Sequence, residues 1–264
     1  MAVHPITAAT SGSIRIKGYT VTITDVPDRA AVDRAAVDDD LDEYCDHLTV
    51  RGADGSTVGA CRLMTPAGAA AAGRRCADGA FNLAGLRPLR DRLVDVDRFQ
   101  VDSGHRSGAV VIMMWTAVAR YLHLNDLRWV GGRAGVPADD GGRAAVDAWR
   151  RLRSGQLAPP ALRVRPRRPC PVDTSPFSGP VSASISGPVS GVAGGRIGPS
   201  AAGPVGGLPV GGLPVQLRGP LGLGAWVAGE PAYDPERRTA DFYLLLSMDR
   251  LSPRHRRHFL GATR

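Results

Sequence analysis

The chain has 264 residues, with 33 Lys and Arg against 25 Asp and Glu, a formal net charge of +8 and 43% hydrophobic residues. That length can bury a sizeable core, and that composition argues against a disordered or fibrous chain. The basic balance favours acidic partners: phosphate, nucleic acid, anionic lipid heads or an acidic protein. Cys45, Cys61, Cys76 and Cys170 are widely spaced, with no C-x-x-C pair and no histidine at ligand spacing. A disulfide framework or metal site is therefore not expected, and a reducing cytoplasm fits.

In chain order, residues 18–24 (GYTVTIT) alternate apolar and threonine positions and predict a strand. Residues 27–43 are acidic and alanine-rich, a weak helix or loop. Two β-rich runs, His47–Val50 and Thr57–Met64, flank Ala53-Asp54-Gly55, a hairpin signal. Residues 66–80 are alanine-rich and expected to be helical. Leu93–Val101 has strand composition, Asp102–Gly108 reads as loop, and Ala109–Leu124 as a helix with a broad apolar face. That helix carries a polar stripe of Thr116, Arg120 and His123; it is too short, with Arg120 inside, to span a membrane. The N-terminus lacks the apolar run of a signal peptide. A cytoplasmic protein is expected, with at most peripheral contact at the inner membrane face.

Arg128–Val136 predicts a following strand and Gly141–Gly155 an Arg-rich amphipathic helix. Strand, loop, helix and strand make a crossover unit, so part of the sheet should be parallel and the fold class α/β (α+β). Residues 170–216 turn Gly/Pro-rich, with near-repeats at 178–182 and 186–190 and at 206–210 and 211–215, and read as a flexible insert. Order is expected again from Leu217, with strands at Leu223–Val227 and Asp241–Met248 and a basic tail, Arg250–His258.

Three segments carry a family resemblance. The first is DEYCDHLTVRGADGSTVGACRLMTP, from Asp42 through Arg62; the second is VDVDRFQVDSGHRSGAVVIMMW, Val94–Trp115. The third, Leu217–Gly261, holds Trp226, Gly229-Glu230-Pro231, Asp234-Pro235, Ala240-Asp241-Phe242 and His258-Phe259. Together they resemble the GNAT-fold ornithine Nα-acyltransferases (lyso-ornithine lipid synthases, hemolysin-like), relatives of the acyl-homoserine lactone synthases. The resemblance implies a GNAT-like mixed sheet flanked by helices. Residues 1–169 would form its acyltransferase core, 170–216 the insert, and 217–264 strands completing the same domain.

It also implies transfer of a fatty acyl group from a phosphopantetheine thioester, on acyl carrier protein or CoA, to the α-amine of ornithine or a similar amino acid. No permanently bound cofactor is implied. Arg106, Ser107, Gly108 and Ala109 open the central helix, where free N–H groups and the helix dipole suit the donor's phosphates. Asp95 and Arg98 match an acid that orients or deprotonates the amine and its neighbouring arginine. In a regular strand those two positions face opposite ways, so both can line one site only through a bulge. Arg62 sits on an otherwise apolar strand and matches an arginine near the acceptor; Asp42 and Asp46 match acceptor-binding acids. Asp97 is expected to face solvent.

Three departures keep other readings open. Residues 25–41 lack the family's Arg-Tyr-x-Val-Phe helix, position 95 is Asp where relatives have Glu, and Phe99-Gln100 stands where the ornithine branch has Ser-Cys. A catalytically degenerate relative that docks carrier protein or anionic membrane is one alternative. A lactone-synthase-like enzyme using S-adenosylmethionine is another. The cluster Arg150, Arg151, Arg153, Arg163, Arg165, Arg167 and Arg168 has no interleaved aromatics, so nucleic acid is not the expected partner.

Overall fold

The computed structural model describes residues 14–16, 18–25, 40–105, 108–170 and 212–260. In chain order the strands are β1 (Ile14–Ile16), β2 (Tyr19–Thr24), β3 (Asp46–Arg51) and β4 (Thr57–Met64). Helix α1 (Pro66–Ala72) follows, then β5 (Phe81–Asn82), β6 (Leu93–Val101), α2 (Ala109–Leu124), β7 (Trp129–Pro137) and α3 (Arg143–Leu152). The chain continues with β8 (Arg165–Pro166), α4 (Val215–Gly222), β9 (Trp226–Val227), β10 (Ala232–Asp234), β11 (Thr239–Ser247) and α5 (Pro253–Leu260). Nine strands form one sheet in the order β1-β2-β3-β4-β6-β7-β11-β10, with β9 also on β11; β5 and β8 pair separately.

All pairs in the main sheet are antiparallel except β6 with β7. The fold class is the expected one, a mixed sheet flanked by helices. The parallel pair is joined through α2, as the crossover pattern requires. Strand β11, from the C-terminal segment, lies between β7 and β10.

Alternation along the strands divides the two faces. Leu48, Val50, Cys61, Leu63, Val94, Val96 and Val130 pack against Val110, Met114, Val118 and Leu122 of α2 and Phe259 of α5. Arg120, on the polar stripe of α2, donates from Nε to the Phe259 carbonyl at 3.0 Å and ties these two helices together. Further along that face, Val136, Phe242 and Leu244 meet Trp149 and Leu152 of α3 and Leu217 and Leu221 of α4. On the opposite face Leu93, Tyr243 and Leu245 pack against Phe81, Leu86 and Val164.

The elements depart from expectation in three places. The helix predicted over 66–80 ends at Ala72, because Gly73 adopts φ 68 and closes it as a C-cap. Its start is fixed by Thr65, whose side chain accepts from Gly68 N. The strand expected from Leu223 is only Trp226–Val227, and it follows a helix that starts at Val215. The acidic stretch at 26–39 and most of the Gly/Pro segment, 171–211, lie outside the described residues.

Candidate active site

Strands β6 and β7 are paired only at Leu93↔Trp129, Val94↔Val130 and Asp95↔Gly131, yet both run on for six more residues. Beyond Val96 and Gly132, whose backbones still lie close, no ladder pairing joins the two strands, and this unpaired stretch is the wedge. Glycine at 131 is required at the root of it. A Cβ there would fall on the Tyr243 hydroxyl and lie 3.2 Å from Asp95 Oδ1.

The opposite edge of β6 carries a bulge. Partners step from Ala60↔Gln100 to Arg62↔Asp97, so β6 spends an extra residue against β4. Arg98 takes φ 50 there, an uncommon conformation for a non-glycine residue. The bulge puts Asp97 and Arg98 on the same side, and Phe99 turns to the helix-covered face, where it stacks on Trp115 at 5.3 Å. It thereby lets side chains spaced as Asp95 and Arg98 share one face.

A connected ion-pair network occupies that face. Arg62 reaches Asp97 Oδ2 from Nη2 at 2.6 Å and from Nε at 3.1 Å, and Asp42 Oδ1 from Nη1 at 2.9 Å. Arg98 Nη1 lies 3.4 Å from Asp42 Oδ2. Across the wedge Arg133 Nη2 is 3.5 Å from Asp97 Oδ1, and its Nη1 is 3.5 Å from Asp241 Oδ2. Thr239 Oγ1 donates to Asp241 at 2.7 Å; burial raises the Asp241 carboxyl above the usual range, and the Thr239 bond pulls it back. His47, register partner of Arg62, places Nε2 3.0 Å from the Asp42 carbonyl.

Asp95 stands one pleat further in, 1% exposed. Its Oδ2 accepts from Arg75 Nε at 2.9 Å, and Tyr243 Oη approaches Oδ1 at 3.4 Å. Arg75 also donates from Nη2 to the Leu93 carbonyl at 2.8 Å. Burial pushes the Asp95 carboxyl up and the Arg75 charge holds it down.

The expected site residues therefore fall in several places. Asp42, Arg62 and Arg98 are brought together, and Asp95 is their neighbour on the same face, bound to Arg75 and Tyr243. Asp46 points to the other face and accepts from the Tyr121 hydroxyl of α2. Gly108 caps α2 at φ 93, and Ala109 starts it; Arg106 and Ser107 lie outside the described residues. Asp97, expected in solvent, is buried at 6% because the bulge and β4 turn it onto Arg62. Three members of the network were not singled out from the sequence: Arg75, Arg133 and Asp241 as an ion-pair partner. Arg133 did carry the signal that marked Arg62, a lone charge in a strand of small and apolar residues.

Residues 16–116 match the family described as an acetyltransferase (GNAT) domain. That segment is similar to a GNAT domain. The chain is also 33% identical over 139 residues to an L-ornithine N(alpha)-acyltransferase of Rhodobacter capsulatus. That alignment covers 49% of this chain and 52% of the relative, so the chain spans about half the length of the curated protein it matches.

Among solved structures, the chain is similar to a CoA-dependent acyl-homoserine lactone synthase, BjaI, with SAM and isopentyl-CoA. The TM-score is 0.40 at 12% identity, covering 86% of this chain and 70% of that one. FeeM, an N-acyl amino acid synthase from uncultured soil microbes, gives a TM-score of 0.36 at 14% identity, covering 47% and 74%. Among the described residues no helix is long and apolar enough to cross a membrane.

Proposed function

We propose that this chain is an N-acyltransferase that moves a fatty acyl group from a phosphopantetheine thioester to the α-amine of ornithine or a similar amino acid, as a step in making an aminolipid. The observation that carries the reading is the 33% identity to an ornithine Nα-acyltransferase, in a chain whose GNAT segment contains the bulged strand β6. The donor would be acyl carrier protein or acyl-CoA. An acidic carrier suits the exposed arginines Arg150, Arg151 and Arg153 on and just after α3.

In this reading the wedge between β6 and β7 admits the thioester, and Gly108 and Ala109 at the start of α2 receive the donor's phosphates. The acceptor approaches from the charged face. Its amine nitrogen, having given a proton to a carboxylate, attacks the thioester carbon; the C–N bond forms, the C–S bond breaks, and the sulfur leaves as the carrier thiol after taking a proton. Asp97, at the mouth of the wedge and held by Arg62, is the carboxylate best placed to meet the amine. Asp95, engaged by Arg75 and Tyr243, acts as a positioning residue that fixes the root of the wedge. Asp42 links Arg62 to Arg98 and orients both.

The test is mass spectrometry of products from purified protein. Donors are long-chain acyl carrier protein and acyl-CoA; acceptors are ornithine, a panel of other amino acids and S-adenosylmethionine. N-acyl-ornithine formed with release of carrier thiol is the expected result. A lactone product would move the assignment to the homoserine-lactone branch. Silence from folded protein across the panel would leave a carrier- or membrane-binding relative without catalysis.

A further inference from the structure

The arginines of the charged face are not equally satisfied. Arg62 and Arg75 make contacts of 2.6 to 3.1 Å, the range of well-formed charge-assisted bonds. Arg133 holds its two carboxylates only at 3.5 Å each, the outer edge of hydrogen-bond range. Its Nε is buried and, among the described residues, has no hydrogen-bond partner. A guanidinium offers five donors in a planar fork that matches a carboxylate two-on-two, so Arg133 has unused capacity for an anion.

Its position gives that capacity a purpose. Arg133 follows Gly131 and Gly132 on β7, just past the last paired residue of the wedge, and faces the side that carries Arg62 and Asp97. It carries the one charge on β7, whose other residues are Trp129, Val130, Val136, Pro137, glycines and Ala134. A charge on an interior strand is costly to bury unless it is paired.

We propose that Arg133 anchors the α-carboxylate of the acceptor, making this face selective for amino acids over plain amines. The inference rests on the acyltransfer reading above and adds a specificity residue to it. A carboxylate placed on the Nε–Nη2 edge of Arg133 exchanges the loose contact to Asp97 for a bidentate pair. The α-amine, one carbon away, then lies beside Asp97. The acceptor's α-carboxylate and α-ammonium together bring one negative and one positive charge to the network and leave its balance unchanged; ornithine's δ-ammonium is a further positive charge. Asp241, held by Thr239, receives the edge of the guanidinium that the acceptor leaves uncovered and keeps the fork oriented.

The experiment compares ornithine with ornithinamide, which lacks the carboxylate, by calorimetric titration and by turnover, in wild type, Arg133→Gln and Arg133→Lys. Circular dichroism establishes that each variant is folded. Wild type is expected to bind and use ornithine about ten- to a hundredfold better than the amide, the span of a charge-assisted hydrogen-bond pair. In Arg133→Gln the ratio should fall to near one; Arg133→Lys, which keeps charge without the fork, should lie between. Equal use of the two acceptors by wild type overturns the proposal. So does an Arg133→Gln protein that keeps the wild-type ratio, or one that loses both acceptors equally, which would place Arg133 on the donor. Carboxylate-selective binding that depends on Arg133, with no turnover by wild type, would support the anchor while overturning the acyltransfer reading.

Discussion

Asp95 shows how a buried charge becomes structure. At 1% exposure its carboxylate depends on Arg75, whose side chain is itself 13% exposed, and removing that arginine leaves the acid without compensation. Breaking such a pair from one side costs about 3 kcal/mol or more, because the surviving charge stays buried. Arg75→Ala is therefore expected to lower unfolding free energy by about that amount in denaturant titration, with much of the loss recovered in Arg75→Ala/Asp95→Asn. Equal destabilisation of single and double variants would show that the pair is not the source. Asp46 offers a pH test. Burial raises its carboxyl above the ordinary range, against the opposing pull of the Tyr121 hydroxyl. A raised folded-state value means that the folded protein holds its proton over a window where the unfolded chain has lost it, so this contribution to stability falls as pH rises. Relative to Asp46→Asn, the wild type should gain stability as pH is lowered from about 7 toward about 4. A flat difference would contradict the assignment.

At the scale of elements, strand β6 carries the site because it is irregular on both edges, bulged against β4 and released from β7 after Asp95. Gly131 marks the release. Its missing side chain lets the Tyr243 hydroxyl cross to Asp95, so Gly131→Ala should destabilise by about 1–3 kcal/mol through overpacking. The companion change Tyr243→Phe should relieve part of that cost, read as a smaller Tm loss in the double variant than the two single losses added. Additive losses would mean that the contact does not set the geometry. Much of this element level was legible in the sequence. Periodicity placed β2, the β3–β4 hairpin, β6, α2 and β7 within a residue or two, while the bulge was implied only by the resemblance that sets Asp95 and Arg98 on one site, against the alternation of a regular strand. Helix α1 came out shorter than its alanine content suggested, since Gly73 overrides the propensity of the residues beyond it. What local pattern does not encode is register. Whether Asp97 meets water or Arg62 depends on which residue of β4 lies opposite, and the extra residue of the bulge decides that.

For the whole molecule, the helices α2 to α5 cover one face of the sheet, and the charged network lies on the other, joined across β4, β6, β7 and β11. Those strands come from both ends of the sequence: Arg62 and Asp97 from the segment that matches the GNAT domain, Asp241 from the C-terminal strand beyond it. Arg75 becomes meaningful only once the chain brings it to Asp95, and Arg133, though a lone charge in its strand, carries no local sign of the carboxylates it meets. Asp46, adjacent in sequence to the site, was separated from it by the simple alternation of a strand. In the proposed function this charged face presents an amino-acid amine to an acyl thioester, with Asp97 as the receiving carboxylate. The most direct measurement is the yield of N-acyl-ornithine from long-chain acyl carrier protein and ornithine, for wild type and Asp97→Asn side by side. Wild type should give product, and Asp97→Asn at least about a hundredfold less, the usual worth of a positioned general base. Equal product from both, or none from a folded wild type, would contradict that assignment.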